Sequence, residues 1–285
     1  MTDSIIVTTD STCDLGEQAA KYGVQIMPLN VILGGESYKD GVEITPADIF
    51  AYVQKTGELP KTSAPNVETY KDFFAAFVAE GKKVIHVSIS QKASSAYLNA
   101  LSAAGEFPGK VFVVDSKALS TGQGLVVLKA ADMVKAGLSA EEIVEKLSAV
   151  REHVNTSFIP DTLEYLYKGG RCSALSMYGA KILKLHPMID MQDGQLYAAK
   201  KYRGDMLRCI SKYVAELSEA YPEYDPCRCF ITHSHADEEL VALAKEKVAE
   251  HFAFAEVIET VAGSVITGHC GRNTLGVLFV TKREV

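Results

Sequence analysis

Hydrophobic and polar positions along this chain follow a repeating order of strand and helix. Short apolar runs predict buried strands near residues 5–7, 24–33, 84–90, 111–114, 228–232, 254–260 and 275–280. Apolar residues recur at helical spacing between many of these runs, as in 67–79, 139–152 and 237–250. Strands that alternate with helices predict a parallel sheet covered by helices on both faces.

The pattern changes character near residue 155. Apolar runs at 183–190 and 195–199 flank Asp193-Gly194, which predicts an antiparallel hairpin. An amphipathic helix is expected at 203–217. We therefore predict an α/β chain of two α/β domains. Residues 1–155 form an N-terminal domain with a parallel, three-layer sheet, and residues 156–285 form a C-terminal domain with a mixed sheet.

Helix caps support the assignment of the N-terminal helices. Thr45 precedes Pro46, and proline is favoured at the first helical position. Ser139 and Glu142 have the spacing of a capping box.

Composition narrows the range of functions. The 285 residues carry a formal net charge of −7, which argues against a nucleic-acid surface built from clustered lysine and arginine. The N-terminus lacks the basic flank and apolar core of a signal peptide, and no apolar run is long enough for a transmembrane segment. We expect a cytoplasmic protein whose six scattered cysteines are free thiols.

Polar residues at predicted strand ends are the candidates for chemistry. Asp10 follows the first strand, and Ser94 or Ser95 lies at the start of a helix after the strand 84–90. Open α/β sheets place ligands at the carboxyl ends of strands, and helix N-termini favour anions. Helix capping is the simpler interpretation of these side chains. His269 lies among glycines in a link where backbone packs closely, and it is either a ligand contact or a structural histidine.

Familiar enzyme and metal motifs are missing from the sequence. It contains neither a G-x-G-x-x-G nor a P-loop motif for nucleotides, and no G-x-S-x-G nucleophile elbow. His233 and His235 supply only two metal ligands, whereas a catalytic zinc usually needs three, so we expect no metal.

Taken together, the polar segments resemble the DegV family along nearly the whole chain. The segments that carry the resemblance, in order, are Asp10-Ser11, Pro28-Leu29, Asp40-Gly41, Thr62-Ser63-Ala64-Pro65, the serine turn 90–97, Asp115-Ser116, 162–166 with Lys168-Gly169-Gly170-Arg171, Pro187 and Gly268-His269-Cys270-Gly271.

The resemblance implies two α/β domains that bind a long-chain fatty acid between them. The ligand would be a fatty acid such as palmitate, stearate or oleate, and no cofactor is implied. The family looks like the lipid-carrying component of bacterial fatty-acid kinase, which serves phospholipid metabolism. A separate kinase protein phosphorylates the carboxylate with ATP, so the carrier itself is not an enzyme. This role also allows a transient contact with a membrane surface.

Individual roles follow from the same resemblance. Thr62 and Ser94 match the residues that hold the carboxylate, with Ser63 and Ser95 beside them, and His269 matches the histidine of the C-terminal motif. The segment Gly170-Arg171 matches the contact with the kinase. On residue grounds alone, Gly170 is equally well a helix cap followed by a surface arginine.

This chain departs from the family pattern at two places. Ala93, Ser95 and Ala96 replace leucine, glycine and threonine around Ser94, so that Ser95 adds a hydroxyl. Gly271-Arg272-Asn273 replaces Gly-Pro-Gly, and Arg272 adds a positive charge to the site if it points inward. Candidates for the apolar tunnel, each of them also readable as ordinary core, are Phe73, Phe74, Phe77, Ile182, Leu183 and Met188.

Two alternatives remain open from the sequence. A hydrolase or phosphotransferase would use Asp10, Ser94 and His269 around an anionic substrate. A carrier of another lipid would use the same tunnel, but hydroxyls at a helix start favour a carboxylate head.

Overall fold

The computed structural model describes residues 4–172 and 185–282. The first part of the chain contains, in order, β1 (Ile5–Asp10), α1 (Glu17–Lys21), β2 (Gln25–Met27), β3 (Asn30–Leu33), β4 (Glu36–Lys39), α2 (Pro46–Thr56), β5 (Lys61–Ser63), α3 (Val67–Ala79), β6 (Lys83–Ser88), α4 (Ala96–Ala104), β7 (Val111–Asp115), α5 (Ser120–Lys135) and α6 (Ala140–Val150). The remainder contains β8 (Val154–Asn155), β9 (Phe158–Ile159), α7 (Glu164–Gly169), β10 (Leu185–Gln192), β11 (Gln195–Arg203), α8 (Met206–Ala220), β12 (Arg228–Ser234), α9 (Glu238–His251), β13 (Glu256–Val261), α10 (Ser264–Cys270) and β14 (Thr274–Val280).

A parallel sheet in the order β2-β1-β6-β7 forms the centre of the first part. Helices α3 and α4 pack on one face through a cluster that includes Tyr70, Phe74 and Ala100. Helices α5 and α6 cover the other face, where Leu125 and Ile143 are buried. The predicted three-layer α/β arrangement is confirmed.

A mixed sheet dominates the second part, as predicted. Its strands run in the order β11-β10-β9-β14-β12-β13, with β8 beside β14. Strands β12 and β13 are parallel and are joined through α9, whereas the other ladders are antiparallel. Helices α8 and α9 cover one face, and α5 reaches the other, because Phe230 and Leu278 share a core cluster with α5 residues such as Leu125.

A third, small antiparallel sheet in the order β4-β3-β5 corrects one prediction. The apolar run 24–33 is not one strand, because it divides at Pro28, which has no backbone N–H to donate to a ladder. Strand β2 before Pro28 joins the parallel sheet, and β3 after it pairs with β5. This small sheet matters for function because β5 carries Thr62.

The hairpin β10–β11 is confirmed, and its turn residues Asp193 and Gly194 both have positive φ, as the tight hairpin turn requires. It runs further than predicted. Residue 203 ends β11 rather than starting a helix, and α8 begins at Met206 after Asp205, whose carboxylate accepts the backbone N–H of Arg208 at 2.8 Å. The capping box of Ser139 and Glu142 is present. No helix in the ranges 4–172 and 185–282 is long and apolar enough to cross a membrane.

Candidate functional site

A cavity of about 310 Å³ lies where the two parts of the chain meet. Strand β5, the serine turn before α4 and Leu119 supply one side, and Phe158, Leu196 and helix α10 supply the other. Much of the wall is apolar, as shown by Leu29, Ile89, Leu119, Phe158, Leu196 and Ile266. The polar lining is a separate group that consists of Thr62, Ser63, Ser94, Ser95, Arg171 and His269.

Thr62 and His269 form the polar centre of the cavity. The Thr62 hydroxyl and Nε2 of His269 are 2.9 Å apart, although 207 residues separate them in the chain. Thr62 lies in the middle of β5, opposite Val31 of β3. The position of His269 corrects the sequence analysis, because it lies inside α10 rather than in an irregular link.

Two glycines allow α10 to approach its neighbours closely enough for this contact. A Cβ atom on Gly169 would lie 2.8 Å from Nδ1 of His269, and a Cβ atom on Gly268 would lie 2.8 Å from Cγ of Pro60, just before β5. Both distances are too short for a side chain, so glycine is needed at both positions. The segments Gly169-Gly170 and Gly268-His269 are therefore in contact through His269 and Gly169.

His269 is held in its neutral form. Burial, together with the positive charge of Arg171, lowers the pKa of His269 to about 4. Its Nδ1 atom is buried and has no hydrogen-bond partner among the described residues. The tautomer with the proton on Nε2 places the bare Nδ1 lone pair in the positive potential of Arg171 and donates to Thr62. In that arrangement the Thr62 hydroxyl keeps its own hydrogen for a ligand oxygen.

The serine turn is built by its own backbone. Backbone N–H groups of Ala93 and Ser94 donate to the carbonyl of Ser90, at 2.9 and 3.1 Å, and α4 begins at Ala96. The Ser94 hydroxyl oxygen accepts the N–H of Ala96 at 3.2 Å. The N-cap of α4 is Ser95, whose side chain makes no capping hydrogen bond. Ser94 is therefore not the helix cap; its hydroxyl forms a local serine turn and also lines the cavity.

Two further hydrogen bonds hold the walls of the cavity together. The Ser90 hydroxyl donates to the carbonyl of Gly194 in the hairpin turn at 2.6 Å, which places nearby Leu196 in the wall. The Asn99 amide of α4 donates to the carbonyl of Pro65 at 2.8 Å. The segment that follows Thr62 is thereby tied to the helix that follows Ser94.

Arg171 and Gly170 occupy the outer side of the site. Gly170 caps the C-terminus of α7 with φ of 69° and is exposed, and Arg171 is exposed while it also lines the cavity. The guanidinium Nη1 donates to the carbonyl of Gly169 at 2.6 Å. The structure therefore brings together Thr62, Ser63, Ser94, Ser95, His269 and Arg171, with Gly170 next to them.

Several predicted tunnel residues lie elsewhere. Phe73, Phe74 and Phe77 pack between α3 and the parallel sheet, and Met188 packs against the α8 core. They were proposed because they are apolar at helical or strand spacing, and that spacing equally marks ordinary core. Ile182 and Leu183 fall outside the described residues.

Arg272 does not point into the cavity. Its guanidinium lies over the Phe50 ring of α2, 5.7 Å from the ring centroid, and Phe50 also meets His235 edge to face. The departure from the family motif therefore adds a contact between α2 and the loop before β14 rather than a charge beside the ligand.

The alternative catalytic triad is not assembled. Asp10 is fully buried, accepts hydrogen bonds from Tyr70, Ser88 and the backbone of Ile89, and lies 3.3 Å from Nε2 of His86. Burial alone would raise the pKa of Asp10, but His86, Ser88 and Tyr70 lower it below its ordinary value. Among the described residues, no hydrogen bond joins Asp10 or Ser94 to His269.

The sequence did not indicate most of the apolar residues of the cavity wall, nor the two carboxyl groups that anchor the start of α10. Asp14 and Asp40 accept backbone N–H bonds from Gly263 and Ser264, each at 2.8 Å, at the start of that helix. Asp40-Gly41 enters the sequence analysis only as a segment of the family resemblance, and no local pattern indicates that Asp40 bonds Ser264. The described residues contain no group of three or more histidine, cysteine or acidic side chains arranged to hold a metal ion.

Comparison with known proteins agrees with this geometry. The model of the DegV family, described as uncharacterised proteins, matches residues 4–282. A DegV domain-containing protein of Halalkalibacterium halodurans is 30% identical over 285 residues, covering 98% of this chain and 99% of the relative. A fatty-acid-binding DegV family protein from Thermus thermophilus has a TM-score of 0.89 at 32% identity, covering 97% of this chain and 99% of its own.

A second solved structure is similar over the same length. The stearic acid-binding protein from Eubacterium ventriosum has a TM-score of 0.82 at 28% identity, covering 96% of this chain and 98% of its own. These matches extend over both parts of the chain, and they include the segments that line the cavity. The chain belongs to the DegV family.

Proposed function

We propose that this protein binds a long-chain fatty acid in the cavity and presents its carboxylate to a separate kinase. The observation that carries the proposal is an apolar cavity whose polar lining consists of hydroxyls, a neutral histidine and one arginine. DegV proteins of similar structure are fatty-acid-binding proteins, which supports the same ligand class.

The polar lining suits a carboxylate. A buried carboxylate is costly unless it accepts hydrogen bonds. Thr62 has a hydroxyl hydrogen to donate if His269 donates to its oxygen, and the Ser94 hydrogen is likewise uncommitted, because its oxygen accepts from Ala96. Ser63 and Ser95 add hydroxyls on the exposed side of the cavity.

The apolar lining suits an acyl chain. Burial of a methylene contributes about 0.8 kcal/mol, so about fourteen methylenes contribute on the order of 11 kcal/mol before the costs of association. A volume of about 310 Å³ lies at the lower end of the size range of small-molecule sites.

Arg171 suits the transfer step. A phosphoryl acceptor must be reachable from outside, and Arg171 is both exposed and part of the cavity lining. Its guanidinium can pair with the oxygens of a carboxylate or phosphate. In this proposal the kinase docks beside Gly170 and Arg171 in the cytoplasm, and the acyl phosphate that it forms enters phospholipid metabolism.

The first experiment is mass spectrometry of an organic extract from the denatured, freshly purified protein. We expect a stoichiometric fatty acid, and its chain length identifies the physiological ligand class. An empty extract, with no rise in melting temperature on addition of palmitate or oleate, would reject the fatty-acid proposal.

Three variants of the polar lining and one control separate binding from presentation. Thr62→Val and Ser94→Ala each remove one hydroxyl, and because a hydrogen bond to a charged group contributes about 1.5–3 kcal/mol, we expect affinity for palmitate to fall by roughly ten- to a hundredfold. Thr69→Val removes a hydroxyl whose partner among the described residues is Asn66, away from the cavity, and serves as the control. Arg171→Ala should retain palmitate binding and lower turnover by the kinase. Unchanged affinity in both hydroxyl variants contradicts the assignment of the head-group site.

A further inference from the structure

A second groove, separate from the fatty-acid cavity, lies on the C-terminal part of the molecule. Its volume is about 410 Å³. Lys201 and Arg203 at the end of β11 contribute two cations, and Arg208 and Lys212 on α8 contribute two more. Leu185, Tyr202 and Cys209 complete its lining.

The positive charge of this groove is opposite in sign to the net charge of the whole protein. The chain carries a formal net charge of −7, yet four cations share this one groove. Lys212 is 3.7 Å from Glu216 and remains 65% exposed, while Arg203 and Arg208 form no ion pair within the part of the chain that the structure describes. Like charges held together repel, and a bound anion relieves that repulsion.

Protection of a sheet edge does not explain the cluster. In the described residues β11 pairs only with β10, and lysine or arginine on such a strand discourages pairing with another molecule. That account covers Lys201 and Arg203. It does not cover Arg208 and Lys212, which lie on a helix.

The groove and the fatty-acid cavity share no lining residue. Leu196, which lines the cavity, and Arg203 are seven residues apart on the same strand, which corresponds to roughly 24 Å. An anion in the groove is therefore a second ligand and not the head group of the fatty acid.

We propose that this groove binds a small soluble anion that carries two or three phosphate groups. The planar guanidinium forks of Arg203 and Arg208 match phosphate oxygens in pairs, and the two lysines add point charges. Arg203 and Arg208 concentrate positive charge in one concave site, with Lys201 and Lys212 beside them, and a di- or triphosphate concentrates its negative charge in the same way. An acidic peptide instead distributes its carboxylates along an extended chain. The volume lies within the range of small-molecule sites.

The test uses inorganic triphosphate as the probe for the full-length protein, by isothermal titration calorimetry at constant ionic strength. We expect saturable one-to-one binding that the double variant Arg203→Gln/Arg208→Gln weakens at least tenfold. The matched control is Lys55→Gln/Lys110→Gln, which removes the same charge at exposed positions on α2 and before β7. The control should bind as the native protein does, and the fatty acid content of all three proteins should be equal.

Three outcomes overturn the proposal. If the native protein does not bind triphosphate, the proposal is wrong. If both double variants bind triphosphate equally weakly, binding reflects the overall charge of the protein and not this groove. Binding to vesicles that contain phosphatidylglycerol, or to a hepta-glutamate peptide, without binding to triphosphate assigns the groove to a membrane or to a protein partner. Far-ultraviolet circular dichroism and melting temperatures establish that each variant is folded.

Discussion

At the scale of the residue, the protonation state of His269 determines how the head-group site can bind a ligand. With the proton on Nε2 alone, the ring donates to Thr62 and leaves the threonine hydrogen for the ligand. A second proton would lie on Nδ1, which is buried without a partner and experiences the positive charge of Arg171. The site therefore favours a neutral histidine, and under the proposed function the hydroxyls rather than the imidazole face the carboxylate.

We expect the ligand-free protein to lose stability in acid because of His269. The pKa of His269 is about 4 in the folded protein and 6.5 in the unfolded chain, so the unfolded state takes up the proton first as the pH falls. The His269 contribution is thus complete above about pH 6.5 and is lost as the pH approaches 4. Between these limits the free energy of unfolding should fall by roughly 1–3 kcal/mol more in the native protein than in His269→Gln.

The measurement is urea unfolding of delipidated protein at pH 7, 5.5 and 4. Comparing the native protein with the variant isolates this residue from the carboxylates that titrate in the same range. His251→Gln, at the end of α9, controls for the loss of a histidine elsewhere. If the free energy of unfolding depends on pH in the same way in the native protein and in His269→Gln, protonation of His269 does not destabilise the folded state.

At the scale of the element, α10 is held at both ends of its short length. Gly263 and Ser264 donate to Asp14 and Asp40 at its start, while Gly268 and His269 contact Pro60 and Thr62 near its end. The two carboxyl groups converge, because a Cβ atom on Gly263 would lie 3.3–3.4 Å from oxygens of both. Residues of the first part of the chain thereby position the helix that lines the cavity.

Asp14 makes this anchoring depend on pH in the opposite sense to His269. Burial, opposed by hydrogen bonds from Ser120 and Gly263 and assisted by the charge of Asp40, raises the pKa of Asp14 to about 8. The folded state therefore binds this proton more tightly than the unfolded chain. Its stabilising contribution is complete below the ordinary pKa of 3.8 and is lost as the pH rises towards 8.

The variant Asp14→Asn should remove this dependence. The amide still accepts the N–H of Gly263, and the Ser120 hydroxyl can rotate to accept the amide hydrogen. Between pH 5 and 8, we expect the free energy of unfolding of the native protein to fall by roughly 1–3 kcal/mol relative to that of Asp14→Asn. Urea unfolding across that range tests this, with Asp72→Asn on the exposed face of α3 as control. If the difference in unfolding free energy between the native protein and Asp14→Asn stays constant over this pH range, ionisation of Asp14 does not destabilise the fold.

The elements themselves show what the sequence could predict. The strand and helix order, the capping box at Ser139 and the hairpin at Asp193-Gly194 depend on neighbours in the chain, and local patterns identified them. The division at Pro28 was missed, because an apolar run can serve two sheets in succession. Thr62 and His269 were named through family resemblance, since a hydrogen bond across 207 residues leaves no local signal.

At the scale of the whole molecule, the cavity exists because two sheets share one core. Leu125 of α5 belongs to the same cluster as Val7 of the parallel sheet and Phe230 of the mixed sheet. Next to this shared core a second, smaller space of about 30 Å³ adjoins the cavity, and Leu119, Phe158, Ile266 and Cys270 line both. Phe158 is an almost fully buried side chain and is the largest of the four.

Removal of the Phe158 ring should therefore lengthen the site rather than only destabilise the fold. In Phe158→Ala the two spaces join, and we expect the preference between sixteen- and twenty-carbon fatty acids to shift by about tenfold towards the longer chain, the equivalent of one or two additional buried methylenes. The ligand-free protein should lose about 3–5 kcal/mol of unfolding free energy, as large-to-small core substitutions do. Competition binding with palmitate and arachidate measures the first quantity, and urea unfolding measures the second.

The control for this experiment is Phe74→Ala, which truncates a fully buried ring between α3 and the parallel sheet, away from the cavity. It should lose comparable stability and keep the native chain-length preference, because it opens no space beside the acyl chain. If both variants shift the preference equally, the selectivity reflects general loosening of the molecule, and the smaller space is not an extension of the ligand site. If only Phe158→Ala shifts it, the packing between the two sheets limits the length of chain that this protein carries.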